Sequence, residues 1–347
     1  MPTSYANNAI SAKTHAMYGH RLTPADYDAM VKMSSVPEVA AYLQQNTHYA
    51  DVLTGLDPLQ VHRGQLEANL RNLRFDQYTR LIRYNFAQDS RFYTYIFLWE
   101  EIQQILNLLR YLGAGSEGEY FLHYSQYLPK YCSYDIASFP GIRDFQELLQ
   151  VLDGTPYERI LRRYPPRETE EKNRIDLVSV ERELTTYYYQ TVLELIRNDY
   201  SGKAREALEN IFLAQIDAEN ITNAYRLRRF FKSSPEEIRK SILPFDTPSR
   251  KIIGRIIEAG SVQDLDKILS DAKLVDRAVT DEDFIESLTL RIRYKASKKD
   301  LRYSVYPSVV LVAYMIQLEI ELENVINIIE AIRYNLSPQD VRKLLIL

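Results

Sequence analysis

The chain has 347 residues, of which 46% are hydrophobic, a length that allows one large domain or two to three ordinary ones with a buried core. Its 43 Lys and Arg residues nearly balance its 47 Asp and Glu residues, which argues against the global positive field of a nucleic-acid-binding protein. The longest uninterrupted apolar run, residues 309–316, is far shorter than the roughly 20 residues that span a bilayer as a helix.

Helix starts are the clearest local signals along the chain, because Pro is favoured at the first helical position and a preceding Ser, Thr or Asp caps free backbone N–H groups. Pairs of this form occur at Thr23-Pro24, Asp57-Pro58, Thr155-Pro156, Ser234-Pro235 and Ser337-Pro338. An acidic residue three positions after the cap predicts capping boxes at Ser35, Ser234 and Ser337. With only 11 Gly and 14 Pro residues, these signals predict an all-α fold.

A first motif occurs twice in the sequence and consists of a helix pattern followed by Thr-x-Tyr. Residues 35–53 resemble residues 142–161, with Thr47 and Tyr49 matching Thr155 and Tyr157. Residues 261–279 resemble a degenerate third copy, which departs from Thr-x-Tyr at Lys273 to Val275.

A second motif starts with Glu-Asn and repeats in residues 219–242 and 323–345. Asn223 and Asn327 lie 104 residues apart, and the two Ser-Pro steps that follow, at Ser234 and Ser337, lie 103 apart, so the register is maintained. A weaker copy in residues 99–110 contains Asn107. In this alignment three acidic residues coincide, namely Glu101, Asp217 and Glu321.

Both motifs indicate three homologous helical units. The period is roughly 105 to 118 residues, which is domain-sized and too long for a solenoid repeat. We predict units of about residues 1–120, 121–240 and 241–347, related by pseudo-threefold symmetry, from which a ring or funnel would follow.

Residues 12–53, together with the Glu-Asn-x-x-Asn helix and the Asn-Leu-Ser that follows it near the C-terminus, resemble the C subunit of the archaeal and bacterial V-type (A-type) rotary ATPases, also called the d subunit in vacuolar and some bacterial enzymes. The resemblance covers essentially the whole chain. It implies three similar helical domains arranged as a funnel with a central cavity, and a non-catalytic coupling role in ATP-linked transport of protons or sodium ions. The wide mouth would receive the tip of the central stalk, and the narrow side would sit on the cytoplasmic face of the proteolipid rotor ring, with one copy per complex.

Acidic residues of the repeated helices are candidates for the socket that receives the stalk, since they would complement a basic stalk tip. The candidates are Glu101, Asp217, Glu321 and Glu323. Residues 309–333 contain no Gly or Pro and predict one long helix. Glu323, Asn327 and Glu330 share one stripe of that helix, while Glu321 and Asn324 share another.

Three further features leave alternatives open. Asn107, Asn223 and Asn327 either bridge helices within each unit or line the cavity. Tyr120, Tyr124, Tyr127, Tyr131 and Tyr134 form a helical seam that is either packing or a partner surface. The basic cluster is either a solvated face or a contact with anionic headgroups at the membrane; its members are Arg291, Arg293, Lys295, Lys298, Lys299 and Arg302.

Signals for catalysis are weak. Residues 113–118 match Gly-x-Gly-x-x-Gly, but they follow a helical pattern and not a strand, so we interpret them as a helix-ending loop. No phosphate-binding loop or metal-ligand spacing is present in the sequence, and Cys132 is predicted to be a buried or neutral thiol. We therefore expect no catalytic, cofactor or metal site. The alternatives are a free-standing helical adaptor and, less favoured, an all-α enzyme with its site in the central cavity.

Overall fold

The structure is a computed structural model that describes residues 2–51, 53–55, 57, 61, 63–83, 91–114, 128–168, 173–274 and 283–347. In chain order the helices are α1 (Pro2–Gly19), α2 (Pro24–Met30), α3 (Val36–Asn46), α4 (Arg63–Ile82), α5 (Tyr95–Ala114), α6 (Leu128–Tyr131), α7 (Phe145–Val151), α8 (Pro156–Leu161), α9 (Leu177–Asp199), α10 (Gly202–Arg229), α11 (Pro235–Ser241), α12 (Arg250–Glu258), α13 (Val262–Asp271), α14 (Asp283–Tyr303), α15 (Pro307–Arg333) and α16 (Pro338–Leu344).

Two short 3-10 helices, Arg91–Thr94 and Ile136–Gly141, complete the helical content of the described ranges. Two residues of β1 (Arg167–Glu168) pair antiparallel with two of β2 (Asn173–Arg174). The predicted all-α fold class is therefore confirmed. The pseudo-threefold funnel stays a prediction.

The described residues pack as two compact units. The first draws on Met1–Gln88, Gly202–Lys232 and Thr247–Leu347, and the second on Asp89–Ser201 and Ser233–Asp246. In the first unit, α15 packs against α14, α1, α4 and α10, and α10 packs against α14 and α12. In the second unit, α9 packs against α5, α8 and α11.

Helix α15 lies at the centre of the first unit. Its residues 308–318 are all buried, because this stretch is apolar on nearly every face and an all-round apolar helix is stable only when neighbours cover it. The long helix predicted for residues 309–333 is confirmed, with its start at Pro307. The charged residues of α15 begin at Glu319, and Glu319, Glu321, Glu323 and Glu330 meet specific partners.

The predicted helix starts are confirmed where the structure describes them. Thr23, Thr155, Ser234 and Ser337 are N-caps whose side chains accept a backbone N–H from the third helical residue, and each has Pro inside the first turn. The start at Asp57-Pro58 lies outside the described residues, since Pro58 is not among them.

Of the three predicted capping boxes, one is complete. Ser234 and Glu237 exchange both hydrogen bonds. At Ser35 the cap bond forms, but the Glu38 carboxylate accepts the N–H of Ser34 instead, at 2.9 Å. At Ser337 the hydroxyl itself donates to Asp340 Oδ2, at 2.6 Å, so the reciprocal bond to the cap N–H is replaced. Thr23 forms a complete box with Asp26 that was not predicted.

The described part of the tyrosine seam is packing. Tyr134 is buried and stacks on Phe139, with 5.1 Å between the ring centroids. Tyr131 stacks on Phe97 at 4.1 Å and keeps part of its ring exposed. Tyr120, Tyr124 and Tyr127 lie outside the described residues, as do residues 115–118 of the glycine-rich stretch.

Candidate functional site

Glu321 is a carboxylate buried within the first unit, with only 8% of its surface exposed. It projects from α15 and accepts hydrogen bonds from the backbone N–H of Leu22 at 2.9 Å and from the hydroxyl of Tyr49 at 2.8 Å. His48 Nε2 lies 3.6 Å from Glu321 Oε1. Burial raises the pKa of Glu321 to about 7, although the two hydrogen bonds act in the opposite direction.

Glu101 repeats this arrangement in the second unit. It projects from α5 with 4% exposure and accepts hydrogen bonds from the hydroxyl of Tyr157 and from the backbone N–H of Ser133. Burial raises its pKa against the effect of those bonds. Burial and the charge of Glu101 also raise the pKa of the Cys132 thiol to about 12, so this cysteine is neutral, as the sequence predicted.

Asp217 forms a third, less complete version on α10. It is 4% exposed and accepts the backbone N–H of Ser249 at 3.1 Å. Its Oδ1 is buried and has no hydrogen-bond partner among the described residues. The degenerate Thr-x-Tyr copy explains the difference in part: Lys273 has a left-handed backbone, with φ 54°, and Val275 lies outside the described residues.

The three backbone donors occupy equivalent places in the chain. Leu22, Ser133 and Ser249 precede the N-caps Ser35, Asp144 and Ser261 by 13, 11 and 12 residues. The two sequence motifs therefore take part in one contact, in which a buried carboxylate accepts a backbone N–H from the segment that precedes the capped helix of the first motif. The sequence placed the three carboxylates in register but did not identify their donors, because backbone N–H groups leave no mark in a sequence.

The Thr-x-Tyr threonines support the same segments. Thr47 Oγ1 donates to the carbonyl of Leu43 and Thr155 Oγ1 to that of Leu152, both at 2.6 Å. Thr47 also accepts the N–H of Tyr49 at 3.2 Å. Thr47 is the C-cap of α3 and Thr155 is the N-cap of α8. Each threonine therefore fixes the backbone just before the tyrosine that reaches the carboxylate.

The asparagines that the repeat singled out are less buried than their neighbours. Asn107 is exposed and accepts a hydrogen bond from Arg110 at 3.1 Å, while Asn223 and Asn327 are half-buried. The buried amides lie three residues earlier, at Gln104, Asn220 and Asn324. In two of the three copies the buried amide is the Asn of the Glu-Asn step, Asn220 or Asn324.

The side-chain amide of Asn324 binds the backbone of Ile346. Its Nδ2 donates to the carbonyl of Ile346 at 2.8 Å, and its Oδ1 accepts the N–H of Ile346 at 2.9 Å. These two bonds hold the last residues of the chain against α15, because one side-chain amide pairs with both backbone groups of Ile346.

Glu323 belongs to a row of ion pairs between α15 and α4. Arg63 pairs with Glu330 at 2.6 Å, Arg71 with Glu323 at 3.9 Å and Arg74 with Glu319 at 3.2 Å. The numbers run in opposite directions along the two helices, as expected for antiparallel neighbours. The predicted stripe of Glu323 and Glu330 is therefore confirmed, and α4 is its partner.

Glu319 also joins α15 to α14 through a bidentate pair with Arg293, at 2.7 and 2.9 Å. Burial acts to raise the pKa of Glu319, but the guanidinium groups of Arg293 and Arg74 outweigh it and lower the pKa to about 2.

The basic cluster divides into two groups on α14. Arg291 donates to the carbonyls of Lys343 and Leu345, and Arg293 pairs with Glu319, so both are used inside the first unit. Lys295, Lys299 and Arg302 are exposed and Lys298 is half-buried. The cluster is a helix face, and its contact with headgroups stays a prediction.

The predicted socket residues thus separate into two groups as well. Glu101, Asp217 and Glu321 are covered by their own chain and already accept internal hydrogen bonds, whereas Glu323 keeps 31% of its side chain exposed. Their role toward a stalk stays a prediction. Among the described residues, no helix is long and apolar enough to cross a membrane, and no group of His, Cys, Asp and Glu has the arrangement of a metal site.

Comparison with known proteins agrees with the resemblance that the motifs indicated. Residues 10–344 match the family described as ATP synthase (C/AC39) subunit. The chain is similar to the C subunit of the A-type ATP synthase of Pyrococcus abyssi (strain GE5 / Orsay), with 23% identity over 352 residues that cover 99% of this chain and 90% of that protein. It is also similar to the C subunit of the A-type ATP synthase of Desulfurococcus sp. (strain SY), with 24% identity over 249 residues, 71% of this chain and 62% of that protein. Since the family match extends from residue 10 to residue 344, the chain belongs to the ATP synthase (C/AC39) subunit family.

Proposed function

We propose that this protein is the non-catalytic coupling subunit of a V/A-type ATPase, which links the central stalk to the proteolipid rotor ring at the cytoplasmic face of the membrane. Family membership over residues 10–344 carries the proposal. A coupling subunit must transmit torque between two partners, and its body must therefore resist deformation.

The internal contacts support that requirement. The ion pairs along α4 and α15, the bidentate Arg293–Glu319 pair and the Asn324 contact with Ile346 join separate helices of the first unit through polar groups with fixed geometry. Such contacts resist sliding of one helix along another more than apolar packing alone, because each bond has a preferred direction.

The repeated contacts support the proposal of three related units. Tyr157 of the second Thr-x-Tyr copy meets Glu101 of the first carboxylate helix, and Tyr49 of the first copy meets Glu321 of the last. Pairing each carboxylate helix with the next motif, and the last with the first, is the pattern of a cyclic repeat. A funnel with a central cavity is the arrangement we propose for it.

Exposed apolar residues at two equivalent loops are candidate contacts with the partner subunits. Phe231 is 68% exposed and Tyr334 is 64% exposed. Phe231 is followed by Lys232 and Tyr334 by Asn335, and both of these following residues have a φ of 51°. A Ser-Pro helix start comes two positions after each of them. Isolated exposed aromatics are common, but two at matching positions of a repeat indicate a shared use.

Isolation of the tagged protein from detergent-solubilised membranes tests the proposal. We expect stalk and proteolipid subunits to co-purify in a complex with one copy of this chain. Phe231→Ser and Tyr334→Ser should reduce the recovery of one partner class, while Val178→Ser, which replaces a residue exposed to 72% at the start of α9, serves as the matched control.

Recovery of the protein as a monomer without stalk or ring subunits would contradict the coupling role and favour a free-standing adaptor. Recovery of the complete complex with both loop variants would leave the coupling role in place and reject the two loops as contacts. Neutralising Glu323 and following stalk binding against salt tests its place in a socket, because a rim carboxylate changes the salt dependence of binding.

A further inference from the structure

The first unit has a cavity of about 170 Å³ beside Glu321 that opens to the surface. It lies between the end of α1, α14, α15 and the last two residues of the chain. Its wall is mainly apolar, formed among others by Met17, Tyr27, Tyr314, Leu318 and Ile346.

Three cations line the same cavity. Arg21 follows α1, and Lys298 and Arg302 lie one turn apart on α14, so that they share one face of that helix. Arg21 lies over the ring of Tyr18 at 4.2 Å and Lys298 over the ring of Tyr294 at 4.8 Å. Among the described residues, none of the three has a carboxylate within ion-pair distance.

Other cations of the same region do have anionic partners. Arg293, on α14 as well, forms a bidentate pair with Glu319. Glu321 is the acidic side chain that lines the cavity, and its two oxygens accept the Leu22 N–H and the Tyr49 hydroxyl. The cavity therefore combines an apolar interior with three positive charges that form no ion pair with a carboxylate of the described residues.

We propose that this cavity binds a small organic carboxylate, with its apolar body inside and its carboxylate at Arg21, Lys298 and Arg302. The size fits such a ligand, because an apolar protein cavity of about 150 Å³ is large enough to bind benzene. Guanidinium and ammonium groups at the mouth supply charge-assisted hydrogen bonds to the carboxylate. The inference does not depend on the proposed coupling role.

Titration of the purified full-length protein with benzoate tests the proposal by calorimetry or by ligand-observed NMR. For nine non-hydrogen atoms bound at ordinary efficiency, we expect saturation with a Kd of about 1 mM. Benzyl alcohol has the same ring without the charge, and inorganic phosphate has charge without a ring. Each should bind at least roughly tenfold more weakly than benzoate, because each loses one of the two kinds of contact.

Substitutions on α14 identify the site. Lys298→Met and Arg302→Met should each weaken benzoate binding by roughly fivefold to tenfold, the effect of one exposed charge-assisted contact. Lys299→Met is the matched control, because Lys299 is exposed on the same helix and does not line the cavity. It should change the Kd by less than about twofold. Circular dichroism establishes that all three variants are folded.

Benzoate binding that does not saturate by roughly 20 mM would overturn the proposal. An equal loss in Lys299→Met and Lys298→Met would also overturn it, since the interaction would then be a general response to positive charge. Phosphate binding as tight as that of benzoate would reject the apolar part of the site and with it the proposal of an organic ligand.

Discussion

At the scale of single residues, the protein depends on carboxylates that are buried without a full ionic partner. Glu321 and Glu101 are held by a tyrosine hydroxyl and a backbone N–H, neither of which carries charge. Hydrogen bonds from neutral donors offset only part of the free-energy cost of burying a negative charge. The pKa of each carboxyl group is therefore raised. Glu319 shows the contrast, because two guanidinium groups lower its pKa to about 2 in spite of burial.

The raised pKa of Glu321 predicts a dependence of stability on pH. The folded protein holds the Glu321 proton up to about pH 7, whereas an unfolded glutamate loses it near 4.5. The folded state therefore binds more protons between these values, and the contribution of Glu321 to stability is present at low pH and lost as pH rises toward 7. The loss has an upper limit of about 3 kcal/mol.

Glu321→Gln removes this titration and keeps one acceptor oxygen. Relative to the unmodified protein, the variant should gain stability on going from pH 4.5 to pH 7.5, by up to about 3 kcal/mol in the free energy of unfolding. Urea denaturation at the two pH values measures the difference. A constant difference between the two proteins would contradict the prediction.

At the scale of helices, α15 is the element on which the first unit is assembled. One stripe of its second half meets α4 and α14 through ion pairs, and another holds the N-terminal segment and the last residues of the chain through Glu321 and Asn324. Helical periodicity predicted both stripes. It could not predict their partners, because a stripe specifies a direction from the helix axis and not the element that lies there.

The contact of Asn324 with Ile346 predicts a clear difference between two neighbouring asparagines. Asn324→Ala leaves the N–H and the carbonyl of Ile346 without their partner and should lower the free energy of unfolding by about 1–3 kcal/mol. Asn327→Ala, on the half-buried stripe, is the control and should cost less than about 0.5 kcal/mol. Equal costs for the two variants in urea denaturation would show that the amide contact is unimportant.

The charge network on α15 predicts a larger effect. Glu319→Gln leaves Arg293 and Arg74, both mostly buried, without their shared anion, and should destabilise the protein by about 2–3 kcal/mol. Asp28→Asn breaks a pair with Arg342 in which both side chains are half exposed, and should cost between 0 and about 1 kcal/mol. Thermal unfolding of the two variants compares them directly. A cost for Asp28→Asn as large as that for Glu319→Gln would contradict the assignment of Glu319 as the centre of the network.

At the scale of the whole molecule, one contact is made three times with unequal completeness. Glu321 and Glu101 each hold their segment with a backbone bond and a tyrosine, whereas Asp217 holds only Ser249 among the described residues. The sequence showed that the third copy departs from Thr-x-Tyr, but it did not predict which contact this would change. It could not predict that Asp217 would retain the backbone contact.

Hydrogen exchange should report the inequality. The amide of Ser249 should exchange roughly tenfold or more faster than those of Leu22 and Ser133, because local opening there separates fewer contacts. Mass spectrometry of short peptides around the three residues, or NMR, provides the measurement. Protection of Ser249 equal to that of the other two would show that the missing tyrosine has no effect on local stability.

The sequence by itself determined the all-α class, most helix starts, the internal repeat and the stripes of α15. All of these depend on residues within a few positions of one another, or on the comparison of one stretch of the chain with another. Caps act over three positions and helical faces over four, so their physics is complete within a short segment.

Only the tertiary structure decided what the repeated residues hold. Glu321 meets Tyr49 across 272 positions of the chain and Leu22 across 299, and a backbone N–H can belong to any residue type. The sequence also could not predict which acidic residues are buried. An acidic residue is a surface charge when water surrounds it, and it is a structural hydrogen-bond acceptor when its own chain covers it. The physical reason is that desolvation and hydrogen-bond partners are properties of the assembled surroundings, and no single segment contains them.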